Sequence, residues 1–198
     1  MAAERARRRQ VLAVLGSPRR NGNTDTVAMK FLGGTASAGY ESRVIVPTDL
    51  GISPCDGMNQ CFADGECVIK DGMNEIYESV LAATHMLIAS PVYFMGPPGS
   101  LKCFIDRFQA VWARFEVLKK PRPEPAGRKG FAIVAGATPE EGKMYRPTIS
   151  IIKAFYNVAG FSYAGELIAA GLDNRVDAAR NEELMARAFE AGKAFVSD

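Results

Sequence analysis

Val11-Leu12-Ala13-Val14-Leu15-Gly16-Ser17-Pro18-Arg19-Arg20-Asn21-Gly22-Asn23-Thr24 is the stretch that decides the fold. Its first five residues are continuously apolar, which suits a short strand buried on both faces. A polar loop bearing glycine follows, and residues 25–38 behind it read as a helix with Asn23 or Thr24 as its cap. Strand, polar loop and helix start together outline an anion site. Backbone N–H groups and Ser or Thr hydroxyls converge there on a phosphate, with the helix dipole behind them. The loop has neither the G-x-G-x-x-G of a dinucleotide fold nor the G-x-x-x-x-G-K-[ST] of a nucleoside triphosphatase. A monophosphate or a mononucleotide cofactor is the ligand it suits.

The same alternation continues along the chain. Further strands are expected at 42–46, 85–89, 130–135 and 161–169, and further helices at 73–83, 101–113, 147–158 and 176–196. Residues 48–72 show no lasting periodicity, Gly96-Pro97-Pro98-Gly99 reads as a turn, and residues 121–127 form a proline-rich linker. Strands alternating with helices of this length imply parallel strands with right-handed crossovers. Five strands point to a doubly wound α/β sheet. The 198 residues, 47% of them hydrophobic, suffice for one sizeable core, so residues 1–198 are read as one domain. In such sheets ligands lie beyond the carboxyl ends of the strands, which directs attention to the loops after strands one, three and four.

Composition narrows the function. A net charge of +2 makes no case for nucleic acid or an anionic membrane. No apolar run approaches the ~18 residues of a spanning helix, and no signal-peptide pattern precedes the first strand, so a cytoplasmic location is expected. Arg5, Arg7, Arg8 and Arg9 form a solvated arm or a local anion contact. His85 is the single histidine, on a strand, which argues against Ser–His–Asp or Cys–His chemistry and against a cluster of histidine and carboxylate ligands.

Several marks in order give the chain a family likeness: Gly16-Ser17-Pro18-Arg19 with Gly22-Asn23-Thr24, then Asp71-Gly72-Met73, Ser90-Pro91-Val92-Tyr93-Phe94, and Gly99-Ser100-Leu101-Lys102 running into Asp106-Arg107. Over nearly its whole length it resembles the flavodoxin-like NAD(P)H-dependent FMN reductases, especially the branch that includes iron–sulfur flavoproteins. The resemblance implies a three-layer α/β sandwich with a five-stranded parallel sheet in the order 2-1-3-4-5. It also implies bound FMN. Ser17, Arg19, Asn23 and Thr24 would hold the phosphate, with Asn21 and Gly22 shaping the loop. Pro91, Val92, Tyr93, Phe94, Met95 and Gly96 would border the ribityl chain and the ring, with Gly136 and Ala137 on its other side. Ser and Thr hydroxyls suit phosphate oxygens, and Arg19 can add a charge-assisted bond or face solvent. Tyr93 and Phe94 can wall the ring, or Phe94 can pack in the core. Backbone amides near Gly96 or Ala137 are candidate donors to the flavin.

The activity implied is ping-pong electron transfer from NAD(P)H through FMN to a small acceptor: a flavin, a quinone, a nitro or azo compound, or a redox protein partner. A homodimer or homotetramer is expected. A one-electron carrier of flavodoxin type and a flavin-binding module without turnover are the other classes. Iron–sulfur flavoproteins carry four clustered cysteines in the segment that here holds Cys55, Cys61 and Cys67; Met58 stands in the second place. A cubane cluster wants four thiolates, and Cys103 lies on a later helix, so reduced cysteines without a metal are expected. Zinc on three thiolates with Asp56, Asp64 or water, or a redox-active pair such as Cys55 and Cys61, are the alternatives. Phe108, Trp112 and Phe115 read as core or subunit packing, or as cover for a partner's flavin. Glu140, Glu141, Lys143, Met144, Tyr145 and Arg146 form a surface loop or a closure over nicotinamide. Arg114, Lys119, Lys120 and Arg122 form a solvated face or a phosphate-attracting stretch.

Overall fold

The computed structural model describes residues 9–122, 127–139 and 142–197. Its strands are β1 (Gln10–Leu15), β2 (Glu41–Ile45), β3 (His85–Pro91), β4 (Lys129–Ala135) and β5 (Ser162–Ala169). Its helices are α1 (Asn23–Ser37), α2 (Tyr77–Ala82), α3 (Gly99–Arg107), α4 (Gln109–Trp112), α5 (Arg146–Ala159), α6 (Asp177–Arg180) and α7 (Glu182–Phe195). The strands are parallel throughout and lie in the order β2-β1-β3-β4-β5. The order reverses between β1 and β3, which opens a crevice beyond their carboxyl ends.

Alternation along the strands explains their unbroken apolar runs. Leu12, Val14, Met86, Ile88, Ala132 and Val134 face one layer, built from α2, α3, α4 and α5. Val11, Ala13, Leu15, Leu87, Ala89 and Ile133 face the other, built from α1, α6 and α7. Both faces are therefore covered. In the second layer α1 and α7 touch backbone to backbone. A Cβ at Gly34 would lie 2.0 Å from the Phe189 carbonyl oxygen, and one at Gly192 would lie 1.9 Å from that of Phe31.

The elements differ from the sequence expectation where side chains compete for backbone groups. Helix α1 starts at Asn23, so neither Asn23 nor Thr24 caps it; Gly22 does, in extended conformation and without a side-chain bond. Asp25 reaches back past the cap to accept the Asn21 N–H at 2.9 Å. The expected 73–83 helix shrinks to α2, because Asp71 and Asn74 pin the preceding turn: Asp71 N–H donates to Asn74 Oδ1 and Met73 N–H to Asp71 Oδ1, both at 3.0 Å. The expected 101–113 helix divides at Phe108 into α3 and α4, followed by a π turn over Ala113–Val117. The Tyr77 hydroxyl donates to the Arg107 carbonyl there, at 3.0 Å, taking an acceptor that a continuous helix would use. The expected 176–196 helix breaks at Asn181, whose side chain caps α7 by accepting from Leu184 N–H at 2.9 Å. His85 is buried on β3, edge-on to Tyr40 and Phe195. Arg5, Arg7, Arg8, Glu140, Glu141 and residues 123–126 of the linker lie outside the described residues. Among the described residues, no helix is long and apolar enough to cross a membrane.

Candidate functional site

At the end of β1 the chain must leave the sheet within one residue. Gly16 permits this: a Cβ there would sit 2.4 Å from Leu101 Cδ2, while its N–H donates to the Ala89 carbonyl at 2.8 Å. The next residues form a tight polar loop. The Ser17 hydroxyl donates to the Arg19 carbonyl and accepts the Arg19 N–H, both at 3.1 Å. Asn21 takes a left-handed conformation, with φ of 55°, and turns the chain into Gly22 and the start of α1. No described group bonds the side chain of the buried Thr24 or of the exposed Arg19. Both remain available to an anion at the positive end of a helix.

The loop opens on a cleft of about 250 Å³ beyond the carboxyl ends of the strands. Ser17, Arg19, Gly22, Asn23 and Thr24 line one end of it; Pro91, Val92 and Tyr93 come from the end of β3, and Ala135, Gly136 and Ala137 from the end of β4. Ten of the fourteen residues singled out from sequence thus meet in one place. Asn21 shapes the loop without lining the cleft. Phe94, Met95 and Gly96 do not line it. They belong to a two-residue turn in which Tyr93 N–H donates to the Gly96 carbonyl at 2.8 Å and Gly96 N–H to the Tyr93 carbonyl at 2.9 Å. The Gly96 amide is therefore already engaged. The Phe94 ring stands wholly in solvent, so it is not packed in the core either.

Leu172, Asp173 and Arg175, on the loop after β5, complete the cleft. Sequence reasoning missed them; their signal is a turn composition, Gly171-Leu172-Asp173-Asn174, at a strand's carboxyl end. Asn23 holds this loop. Its side-chain amide donates to the Asn174 carbonyl at 2.7 Å, and its oxygen accepts the Ala178 N–H at 3.0 Å. Asn23 thereby builds a wall of the cleft. Arg175 Nη2 donates to the Arg20 carbonyl at 2.6 Å, which brings a second guanidinium to the end occupied by Arg19. Behind the loop, burial pushes the Asp25 carboxyl above the usual carboxylate range, against the Asn21 N–H and the Arg20 charge 3.2 Å away. Tyr145 supports the wall after β4: its ring packs under Gly136, where a Cβ would come within 3.1 Å, and its hydroxyl donates to the Thr138 carbonyl at 2.5 Å, with the Gly136 carbonyl 3.2 Å away.

The cysteine-bearing segment has a different construction. Arg107, fully buried, donates from Nη1 to the Ser53 carbonyl at 3.0 Å and to Asp71 at 2.6 Å, and from Nη2 to the Ile69 carbonyl at 2.9 Å. Arg114 holds the Gly65 carbonyl, Glu66 and Glu78 at 2.7–2.8 Å, and Lys120 holds the Asp64 carbonyl at 2.7 Å. Arg114 and Lys120 are thus spent on this segment, whereas Lys119 and Arg122 pair with Glu116 and Arg122 also donates to the Asn157 carbonyl at 3.1 Å; Phe108 and Phe115 are buried in the core. Cys55, Cys61 and Cys67 are half-buried and border, with Arg107, a void of about 20 Å³. Burial, then the neighbouring Cys67 and Cys55, push the Cys61 thiol up, so it stays protonated at neutral pH.

A doubly wound five-stranded parallel sheet, with an anion loop after β1 and a cleft at the switch point, defines a flavodoxin-like fold. The chain belongs to the NADPH-dependent FMN reductase family, whose sequence profile it matches over residues 9–166. It is similar to an iron–sulfur flavoprotein of Methanocaldococcus jannaschii, at 31% identity over 157 residues that cover 79% of this chain and 76% of that one. Among solved structures it resembles an NAD(P)H:quinone oxidoreductase from Methanothermobacter marburgensis, with a TM-score of 0.70, 18% identity and 96% of each chain covered. It also resembles an FMN-dependent NADH-azoreductase from Bacillus anthracis solved with FMN, with a TM-score of 0.66, 15% identity, and 95% of this chain and 100% of that one covered. These two likenesses show the fold. Family membership makes the chain a flavin-binding protein of oxidoreductase or electron-transfer type.

The two groups that the family suggests meet different residues here. For FMN the cleft offers free hydroxyl and guanidinium groups at one end, and a slot of proline, glycine, alanine, valine and tyrosine at the other. These fit a phosphate joined to a flat ring. For a four-thiolate cluster the residues do not fit. Met58 occupies the second cysteine place and is 67% exposed, and the void among the three thiols holds about one water. Among the described residues, no group of three or more His, Cys, Asp or Glu is placed to hold a metal ion.

Proposed function

We propose that the chain is an FMN-containing NAD(P)H-dependent oxidoreductase that reduces a small acceptor such as a flavin, a quinone, or a nitro or azo compound. FMN, when bound, supplies the hydride acceptance and electron delivery. The protein's part is to hold and orient it. The Thr24 hydroxyl and the first amides of α1 receive the phosphate, Ser17 shapes the loop through its two bonds to Arg19, and Arg19 and Arg175 supply charge. Val92, Tyr93, Gly136 and Ala137 border the ring and keep water from its edges. No side chain of the cleft is required as a proton donor for hydride transfer, so these residues bind and tune.

The observation that carries this reading is the cleft itself: four loops at the carboxyl ends of β1, β3, β4 and β5 converge on it, with unspent anion-binding groups at one end. The test is a visible spectrum of anaerobically purified protein before and after addition of NADPH or NADH. Flavin bands that bleach within seconds support the reading. A flavin that neither nucleotide reduces would make the protein an electron carrier or sensor. A colourless protein that takes up no added FMN would overturn the cofactor assignment.

A further inference from the structure

We infer that Cys67 is an oxidisable thiol: hydrogen peroxide converts it to a sulfenic acid whose oxygen Arg107 receives, and Cys61 then closes it to a disulfide. The observation behind this is an idle donor. Arg107 is 1% exposed, and its two terminal nitrogens hold the Ser53 and Ile69 carbonyls and Asp71. Its Nε is buried without a hydrogen-bond partner. Such a donor is unfavourable unless something supplies an acceptor. The Cys67 thiol lies against this same guanidinium and against the Tyr77 hydroxyl. The Tyr77 proton is already given to the Arg107 carbonyl at 3.0 Å, so toward Cys67 the hydroxyl has only lone pairs to offer.

The void gives the idle donor a use. Cys55, Cys61 and Cys67 border it together with Arg107, and its volume of about 20 Å³ suits one oxygen atom rather than a cluster. A sulfenic oxygen on Cys67 fills that space with the acceptor that Nε lacks. Cysteine attacks as its thiolate, and the guanidinium stands beside the sulfur that carries the charge. The Cys67 sulfur attacks one oxygen of the peroxide: an S–O bond forms, the O–O bond breaks, and the thiol proton leaves with the second oxygen as water. Cys61 is the thiol placed to follow. It feels Cys67 more strongly than Cys55, and the Gly65 N–H bond to the Cys61 carbonyl at 2.8 Å turns back the chain between Cys61 and Cys67. Cys61 attacks the sulfenic sulfur: an S–S bond forms, the S–O bond breaks, and a second water leaves with the Cys61 proton. Two thiols are oxidised and one peroxide is reduced. The void shares no residue with the flavin cleft, so this inference stands apart from the reading of that cleft.

The test treats the full-length protein, with any flavin oxidised so that only thiols supply electrons, with hydrogen peroxide and maps each cysteine by peptide mass spectrometry. Cys103, half-buried on α3, is the internal reference. Cys67 is expected to be consumed about tenfold or more faster than Cys103, and to end in a Cys61–Cys67 disulfide. Cys61→Ser is expected to stop at the sulfenic acid, which dimedone traps on Cys67. Arg107→Lys keeps a cation but removes the Nε donor, and is expected to bring the Cys67 rate within about threefold of the Cys103 rate. Should that variant fail to fold, the ratio in wild-type protein and the trap in Cys61→Ser decide alone. Equal consumption of Cys67 and Cys103, a dimedone adduct on Cys55 in place of Cys67, or oxidation of Cys67 only in urea overturns the inference. Peroxide resistance that a chelator removes also overturns it, because a metal then holds the thiols.

Discussion

The segments that follow β1 and β2 are both polar and both lead into an aspartate, buried Asp25 in the first turn of α1 and largely buried Asp71, yet they are built to opposite ends. The loop after β1 leaves groups unspent: the Thr24 hydroxyl and the Arg19 guanidinium have no partner among the described residues, and Asp25 Oδ1 is buried without one. The segment after β2 spends its polar groups on itself and on Arg107, whose Nε is buried without a partner while both its terminal nitrogens are engaged. Asp71 accepts from Ser53 N–H at 2.9 Å, Met73 N–H at 3.0 Å and Arg107 at 2.6 Å. Unspent hydrogen-bonding capacity beside a cleft is the mark of a binding site, since an idle buried donor or acceptor costs about 1–3 kcal/mol. Satisfied capacity is the mark of a structural element, whatever its length or cysteine content.

Arg107→Met breaks the comparison at its most sensitive point. It leaves Asp71 buried without its cation and frees the Ser53 and Ile69 carbonyls, and removal of one partner of a buried pair costs about 3–5 kcal/mol. Urea unfolding should show that loss, and limited proteolysis should cut between residues 50 and 76. Thr24→Val is the matching change on the other loop. It should leave the stability of the FMN-free protein within about 1 kcal/mol, because the hydroxyl has no protein partner to lose. It should weaken FMN binding about tenfold or more by fluorescence titration, the scale of one hydrogen bond to a charged group. Equal loss of stability from both variants would erase the distinction between the loops.

Which of these roles the chain discloses before folding depends on how far apart the partners lie. The loop after β1 is legible because strand, turn and helix start are contiguous, and Ser17, Gly22 and Thr24 all line the cleft from that one short stretch. The order of the sheet follows from the alternation of elements and the family likeness. Arg107 and Arg128 are not legible. Arg128 donates to the Ala83, Val80, Leu81, Ala159 and Gly160 carbonyls, closing the carboxyl ends of α2 and α5, and burial pushes its pKa down to about 10. Its partners lie 31–48 residues away, so no local pattern separates it from a surface arginine. The division of the 101–113 helix hides for the same reason, since it depends on Tyr77. Arg175 is missed because a helical pattern across 176–196 draws attention past the loop before it.

The two aspartates sharpen the comparison through pH. Burial alone pushes the Asp71 carboxyl up, but Arg107 and the Ser53 and Met73 N–H groups more than reverse this, and it ends below the ordinary carboxylate range. The unfolded chain then takes up this proton at higher pH than the folded one. The stabilisation is whole above the unfolded value of about 3.9 and is lost as pH falls through the lower folded value. Asp25 has the opposite sign, because its folded pKa is raised. Ionising it in place costs stability, and that cost grows as pH climbs from the unfolded value through the folded one. Asp71→Asn should therefore flatten the acid limb of stability against pH, whereas Asp25→Asn should remove a decline on the less acidic side of it. Urea midpoints measured from pH 3 to 7 read both slopes, and slopes of the same sign would contradict the assignment.

The smallest expected effect is the most decisive for the cysteine segment. If protein bonds alone close it, a chelator strong enough to strip zinc or iron should leave the melting temperature unchanged, because no metal contributes to folding free energy there. A structural metal would behave otherwise, since its binding energy is folding energy and its removal loosens the segment it ties. Met58→Cys gives the converse test, restoring the fourth thiol. Anaerobic iron and sulfide should then produce thiolate–iron absorption in the variant and none in the wild type. Stoichiometric iron and sulfide in wild-type protein would mean that the three thiols and one further group rearrange around a cluster. Arg107 would then hold open a site rather than close a loop.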